Sequence, residues 1–514
     1  MSIKHIVLSA FISSVFWGAA QAQSVDDALI MSKEDITGSA RMRGLGNAQT
    51  ALGGDISSLN GNPAGLGFFN RSDASITLNY LNNTNKTTFE GVNNSSKKDN
   101  FGIDQAGIVF NFPTSRYNNS GWQNFNVGIS YNKTQNFNNR LTYEGNNNST
   151  SIVNGLTDLM SGNFEADFAN SNIVEKFGDA SKGYFPLAVE NGAKNQYNDI
   201  ITKGDKAKTS FGFGANYNNT FYIGATLGLT SIKYEKKSSF IENGWTKNRG
   251  AILADNAQSE YADPANPKYD FAEASYELFD NFSQYAEGSG IDVKVGMILK
   301  PASDWNFGLT ITTPTWTTIN EDTRAYTDVN FYDNETSANP FSIYESDFYD
   351  SGLDFNMTTP WKFALGATKY FNAGLLTADV EYVTNNTIKY SSASSYPSNR
   401  YDNVNADIKN NLQGSFNIRI GGEYLFTNVV SGRAGFNYFG NPYKHADDTN
   451  VSGSLGLGFR LSNAAYLDLA VVHQVNSYKQ SPYTIDEGFW GVSAPVAAID
   501  HKRTSGLMTL GFKF

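Results

Sequence analysis

Ser505-Gly506-Leu507-Met508-Thr509-Leu510-Gly511-Phe512-Lys513-Phe514 closes the chain, and its period decides the fold. Met508, Leu510, Phe512 and Phe514 alternate with Thr509, Gly511 and Lys513. An extended strand built from these residues has one greasy face and one small or polar face. The same alternation recurs far upstream, in Ile76, Leu78 and Tyr80, in Ile108, Phe110 and Phe112, and in Phe125, Val127, Ile129 and Tyr131. Rows of this kind suit strands that meet lipid on one side and water on the other.

Working outward on that template predicts 14 strands, near residues 74–81, 103–112, 122–133, 207–218, 220–234, 290–299, 304–317, 361–371, 374–384, 414–425, 428–439, 451–461, 464–474 and 503–514. Their links alternate in length. Short ones fall at Asn218-Asn219, 301–304, Asn372-Ala373, Phe426-Thr427 and Ser462-Asn463, with a moderate one at 113–121. Long ones fall between, at 82–102, 134–206, 235–289, 318–360, 385–413, 440–450 and 475–502. Outer-membrane barrels sort their links this way, with short periplasmic turns and long external loops. A secreted sandwich or β-helix has no reason to do so. The expected fold is all-β, a 14-stranded antiparallel transmembrane barrel, and a terminal strand ending in Phe514 resembles the signal read by the barrel-assembly machinery.

Composition agrees. Of 514 residues 40% are hydrophobic, only 17% charged and 14% aromatic, with 47 Gly, no Cys and a mean hydropathy of -0.40. The absence of Cys excludes disulfide scaffolds, thiolate zinc sites and cysteine nucleophiles. Residues 1–22 read as a secretory signal, with Lys4, an apolar stretch from Ile6 to Ala19 and Ala20-Gln21-Ala22 before the cut. Its removal takes one lysine and no acid, moving the net charge from -11 to -12. Nucleic acid is therefore not an expected partner. The mature chain has His445, His473 and His501 but no Gly-x-Ser-x-Gly, phosphate loop or His pair at i, i+4, so neither an enzyme nor a bound cofactor or metal is expected.

Residues 23–73 break the strand template. Ala28-Leu29-Ile30 and the run from Ala40 to Leu52 read as short helical turns cut by Gly44, Gly46, Gly53 and Gly54, and the turn Asn62-Pro63-Ala64-Gly65 leads into Leu66, Phe68 and Phe69. Small residues and a tight turn favour packing inside the barrel as a plug, with 74–514 as the wall. The inward strand faces carry Asp292, Lys294, Asp379, Glu381, Arg419, Glu423, Arg433 and Arg460, best read as a salt-bridged lumen that holds the plug.

The run Ser39-Ala40-Arg41-Met42-Arg43-Gly44-Leu45-Gly46-Asn47-Ala48, then Ala51 to Asp55, then Asn62-Pro63-Ala64-Gly65-Leu66, resembles the plug, or hatch, of the FadL-type outer-membrane transporters. Further similarity lies in Gly288-Ser289-Gly290, Lys300-Pro301, Thr359-Pro360-Trp361, Gly421-Gly422-Glu423-Tyr424 and Phe514. The resemblance implies passive uptake of long-chain fatty acids or aromatic hydrocarbons through an external groove, the plug and a lateral opening in the wall. Relatives that serve protein secretion machines make an interaction subunit or shuttle the alternative. On the transport reading, Gly128 is the candidate for a strand kink at the opening. Phe331, Tyr332, Phe341, Tyr344, Phe348 and Tyr349, interleaved with acids, are candidates for the ligand groove. The expected partners are a hydrophobic small molecule, outer-membrane lipid and lipopolysaccharide, and the assembly machinery.

Overall fold

The computed structural model describes residues 24–114, 121–160, 162–189, 192–346, 349–393, 398–445 and 448–514. The signal segment lies outside the described residues. Fourteen antiparallel strands close into a barrel, each paired with its sequence neighbour and the last with the first. They are β1 (Asp73–Phe89), β2 (Val92–Pro113), β3 (Trp122–Asn136, resumed as Asn139–Asn147), β4 (Lys194–Tyr217), β5 (Phe221–Trp245), β6 (Ser275–Ala302) and β7 (Trp305–Thr312, resumed as Trp316–Tyr332). The second half comprises β8 (Tyr349–Thr358 and Lys362–Phe371), β9 (Gly374–Val383), β10 (Ser415–Leu425), β11 (Val430–Phe439), β12 (Thr449–Arg460), β13 (Ala465–Gln480) and β14 (Ala497–Lys513).

The period-two rows become the lipid face. On β6, Ile291, Val293, Val295, Met297 and Leu299 are exposed, while Asp292 and Ile298 between them are buried. Nine residues, tilted as barrel strands are, cover roughly 20 Å of apolar thickness. No described helix is long and apolar enough to cross a membrane, so the strands alone do so. The short links are tight turns; Asn218 and Asn219 both sit at φ 54, the left-handed conformation that two-residue hairpin turns demand and asparagine tolerates.

The long links depart from the expectation of free loops. Residues 82–102 are mainly a continuation of β1 and β2 beyond the apolar belt, closed by the two-residue turn Glu90-Gly91. β4, β5, β6 and β7 likewise run on outside the membrane, so much of 318–360 is strand. Backbone hydrogen bonds between neighbouring strands do not need lipid, and a polar outer face (Ser231, Lys233, Glu235 and Lys237 on β5) carries the ladder into water. On these extensions sits a cap whose helices α3 (Ile152–Asp158) and α4 (Gly162–Phe168) bury Ile152, Leu156, Phe164 and Phe168 against Phe240, Tyr276 and Phe331 of the inner faces.

Candidate functional site: the plugged lumen and the seam between β2 and β3

Residues 24–72 lie inside the barrel, bonded to the wall on several sides. The plug begins with α1 (Val25–Ser32), whose Ser24 and Asp27 form a capping box, and continues through α2 (Ala40–Gly44), capped by Ser39. Ala40 donates its backbone N–H to Thr509 of β14 at 2.7 Å, and Thr50 bonds Asp379 of β9 through both its N–H and its hydroxyl, at 2.9 and 2.8 Å.

Asn62 is fully buried and bonds in three directions. Its Oδ1 accepts from the Ala64 N–H at 3.0 Å, fixing the turn, while its Nδ2 donates to the Thr50 carbonyl at 2.6 Å and to the Met297 carbonyl of β6 at 3.2 Å. Pro63 at the start of the following helical turn leaves no orphan N–H.

The wall makes room for this turn with glycine. Gly214, Gly224 and Gly296 are cross-strand neighbours on β4, β5 and β6. A Cβ on Gly224 would stand 2.3 Å from the Pro63 carbonyl oxygen, and one on Gly296 would stand 1.9 Å from Asn62 Oδ1. Further round, Gly421 and Gly435 receive Leu45 and Gly46 in the same way.

Gly128, the sequence candidate for a kink, belongs to this girdle. It pairs with Val109 of β2 on one side and Gly212 of β4 on the other with no break in either ladder, and a Cβ there would press on Val109 and on Leu59 of the plug. The glycine therefore serves close approach rather than an opening, which corrects the kink assignment.

The break lies higher on the same strand. Pairing of β2 with β3 ends at Gln105 and Asn132. Above that point β3 shifts register between Lys133 and Gln135, leaves the strand conformation at Phe137-Asn138, and resumes at Asn139 paired only with β4. Opposite the break, Gly204 takes φ +101, and a Cβ there would meet the Lys233 carbonyl at 2.1 Å, so only glycine fits.

The upper half of β3 thereby passes behind the β1–β2 hairpin. Side chains replace the missing ladder: Asn83 donates to the Asn138 carbonyl at 2.6 Å, Asn85 to Arg140 at 2.7 Å, Thr87 to Thr142 at 2.9 Å and Ser96 to Arg140 at 2.6 Å. Across the seam, Asn136 Nδ2 reaches Asn100 Oδ1 at 3.0 Å. Sequence reading missed these residues, although the run Asn136-Phe137-Asn138-Asn139 and a lone glycine at Gly204 between Lys203 and Asp205 mark a strand interruption.

A cavity of about 480 Å3 reaches this seam and the plug together. Leu29, Ile30, Phe137, Leu141, Ile200 and Tyr234 supply apolar wall. Among its polar lining, Asn83 Oδ1, Gln135 Oε1, Asp379 Oδ1 and Arg419 Nε are buried without a hydrogen-bond partner.

The lumen charges form a plug-to-wall network. Arg419 pairs with Glu381 at 2.7 Å, whereas Glu423 holds Arg433 at 2.6 Å and Arg41 of the plug at 3.3 Å; Arg433 also reaches Asp468 at 2.5 Å. Asp292 pairs with Lys208 at 2.9 Å rather than with Lys294, and Glu34 of the plug binds Lys208 and Lys362 at 2.8 and 2.5 Å. Arg460 is exposed at the periplasmic end of β12.

The aromatic residues of 318–360 do not form an open groove. Phe331 is fully buried in the cap core, 4.8 Å from the Phe271 ring, and Tyr344 packs against the same cluster. Tyr332 is half-buried with its hydroxyl on Glu277, and Phe341 is a surface residue leaning on Phe271. Phe348 lies outside the described residues, and Tyr349 opens a strand of β8. Phe331 and Tyr344 thus consolidate the cap rather than line a groove.

A closed barrel with an outward apolar belt and an inner plug is an outer-membrane protein. No protein-family model matches the chain, and no curated protein matches it. Solved structures do. A Pseudomonas aeruginosa FadL homologue superposes with a TM-score of 0.54 at 13% identity, covering 94% of this chain and 100% of its own. The Pseudomonas putida toluene transporter TodX does so with a TM-score of 0.51 at 13% identity, covering 93% and 99%. The chain has the FadL-type fold over nearly its whole length.

Proposed function

We propose that the protein carries hydrophobic small molecules across the outer membrane, passing them from the lumen cavity to the lipid through the seam between β2 and β3. The observation that carries this reading is the meeting of three features at one place: an amphipathic cavity, plug residues such as Leu29, Ile30 and Thr50 that line it, and a wall joint made of side chains instead of backbone ladder. An ordinary ladder must lose a row of backbone bonds to open, whereas this joint parts when a few asparagine, serine and threonine rotamers change.

The cavity favours a cargo with an apolar body and a polar head. Leu29, Ile30 and Leu141 cover the body, and the unpartnered Arg419 Nε and Gln135 Oε1 suit a head group. The solved structures of like fold, among them a toluene transporter, support a hydrophobic cargo as the class.

The test exploits the absence of native cysteine. Asn100→Cys and Asn136→Cys place two thiols where the present side chains touch across the seam. Bridging them with a short bis-methanethiosulfonate, which joins each thiol through a mixed disulfide and releases methanesulfinate, should abolish uptake of a radiolabelled fatty acid while leaving its binding to the purified barrel intact, and reduction should restore uptake. Undiminished uptake by the bridged protein would overturn the lateral route. Equal uptake of a fatty acid and of small aromatics with and without the protein would overturn transport itself and favour the interaction role.

A further inference from the structure

The outer wall from β9 round to β2 carries an apolar bay, and above it β1, β2, β13 and β14 carry two further features, none of which the transport route uses. The lowest is an apolar bay of about 1270 Å3 on the lipid face, lined by Leu78, Tyr80, Phe101, Leu376, Leu455 and Met508 among others. The wall is drawn inward here to meet the plug, since Gly456 touches Gly44 and Gly435 touches Gly46, which leaves the lipid side concave.

The second feature is a set of lysines whose height is fixed by strand register. Phe101, Tyr80, Gly506 and Val471 occupy one outward row across β2, β1, β14 and β13. Four residues further out, roughly 13 Å along the strands, the corresponding row is Lys97, Thr84, Lys502 and Val475. Lys86 lies one outward position beyond. On β5 the outward lysines are matched by acids, Lys233 by Glu287 of β6 at 2.9 Å and Lys237 by Glu235 at 3.2 Å. Lys86, Lys97 and Lys502 form no such pair among the described residues. The two acids nearby, Asp99 and Asp500, accept instead from Asn82 at 2.6 Å and Ser477 at 2.7 Å.

Above the lysines, a second concavity of about 610 Å3 is lined by Lys86, Thr88, Asn93, Ser95, Ser477 and Lys479, with Asp500 and the apolar Tyr478, Ala498 and Ile499 among their neighbours, a mixed surface that offers hydroxyl, amide and ammonium groups.

We infer that this face binds a phosphorylated glycolipid of the outer leaflet, with acyl chains in the bay, phosphate on Lys97 and Lys502, and sugars in the polar concavity. The order of the three surfaces, greasy within the membrane, cationic at its edge and mixed polar outside, matches the order of groups along such a lipid and of no phospholipid with a small head. Cations at a membrane edge attract anionic head groups, so reversing two should weaken retention by at least about tenfold.

Native mass spectrometry of the detergent-solubilised full-length barrel, offered bis-phosphorylated lipid A, dephosphorylated lipid A and phosphatidylethanolamine, tests the assignment. The bis-phosphorylated form should be retained at least tenfold over the other two. The double variant Lys97→Glu/Lys502→Glu should lose that preference, and Gly506→Phe should lose it separately by filling the bay, because a side chain at Gly506 meets nothing within 4 Å and leaves the fold undisturbed. Fatty-acid uptake should be unchanged in both, which separates this face from the transport route. Equal retention of the three lipids by the wild type would overturn the inference, and so would wild-type retention of lipid A by either folded variant.

Discussion

Replacing Asn62 tests whether one side chain seats the plug. Asn62→Ala removes three hydrogen bonds, to the Ala64 N–H and to the Thr50 and Met297 carbonyls, from a position with no solvent exposure. Each is worth about 1 kcal/mol net, and stranding a buried N–H or carbonyl adds about 1–3 kcal/mol, so the seated plug should lose roughly 4–6 kcal/mol. Even 2 kcal/mol changes the ratio of displaced to seated plug by about thirtyfold. In planar bilayers the variant should show frequent transient ion-conducting openings where the wild type is nearly silent. Asn62→Asp sharpens the test. Aspartate is as good a turn cap as asparagine, but it cannot donate to the two carbonyls and sets a charge against them. If the turn alone mattered, this variant would be silent; on the anchoring argument it leaks at least as much as the alanine variant. Wild-type conductance from both, in fully folded barrels, would refute the reasoning.

Cysteines at the exposed positions Asn219, Ser303 and Ser462 should be protected from a membrane-impermeant thiol reagent in whole cells, while Asn93, Asn334 and Glu487 should label; Ser481, although in an external link, is buried and should stay silent. Phe514→Ala should lower the yield of heat-modifiable barrel without lowering its melting temperature, because the ring is 60% exposed and the residue's backbone bond to Ser72 survives the change. In the cap, burial pushes the Glu175 carboxyl above the usual range even though Ser259 and Asn256 donate to it. A carboxyl raised in the folded state is best accommodated while protonated, so its contribution to cap stability is greatest in acid and falls as pH rises through the folded value. Glu175→Gln should flatten that dependence, read by hydrogen exchange of residues 174–176 and 259–262 between pH 4 and pH 7.

What the sequence determined by itself is the wall. Period two is a local property of an extended chain, so alternation such as Ile291 to Leu299 locates the membrane-crossing part of each strand, and turn residues such as Asn218-Asn219 locate its periplasmic end. The Asn62-Pro63-Ala64 turn was legible for a similar reason, because its shape is set by neighbours in the chain. Tertiary structure alone decided where the wall parts and what the outer segments do. Gly128 and Gly204 look alike in sequence, yet one lies flat in two ladders against Leu59 and the other turns a strand inward, and the difference is the distance to a plug residue and to the Lys233 carbonyl. Phe331 reads as a groove aromatic until the cap folds onto it from residues 152–168. The seam joins side chains 36 to 55 residues apart, and the lysines of β1, β2 and β14 come together across more than 400, as Asn85 and Lys86 lie beside residues 500–502; no local pattern encodes contacts that exist only once the strands are laid side by side and the last closes on the first.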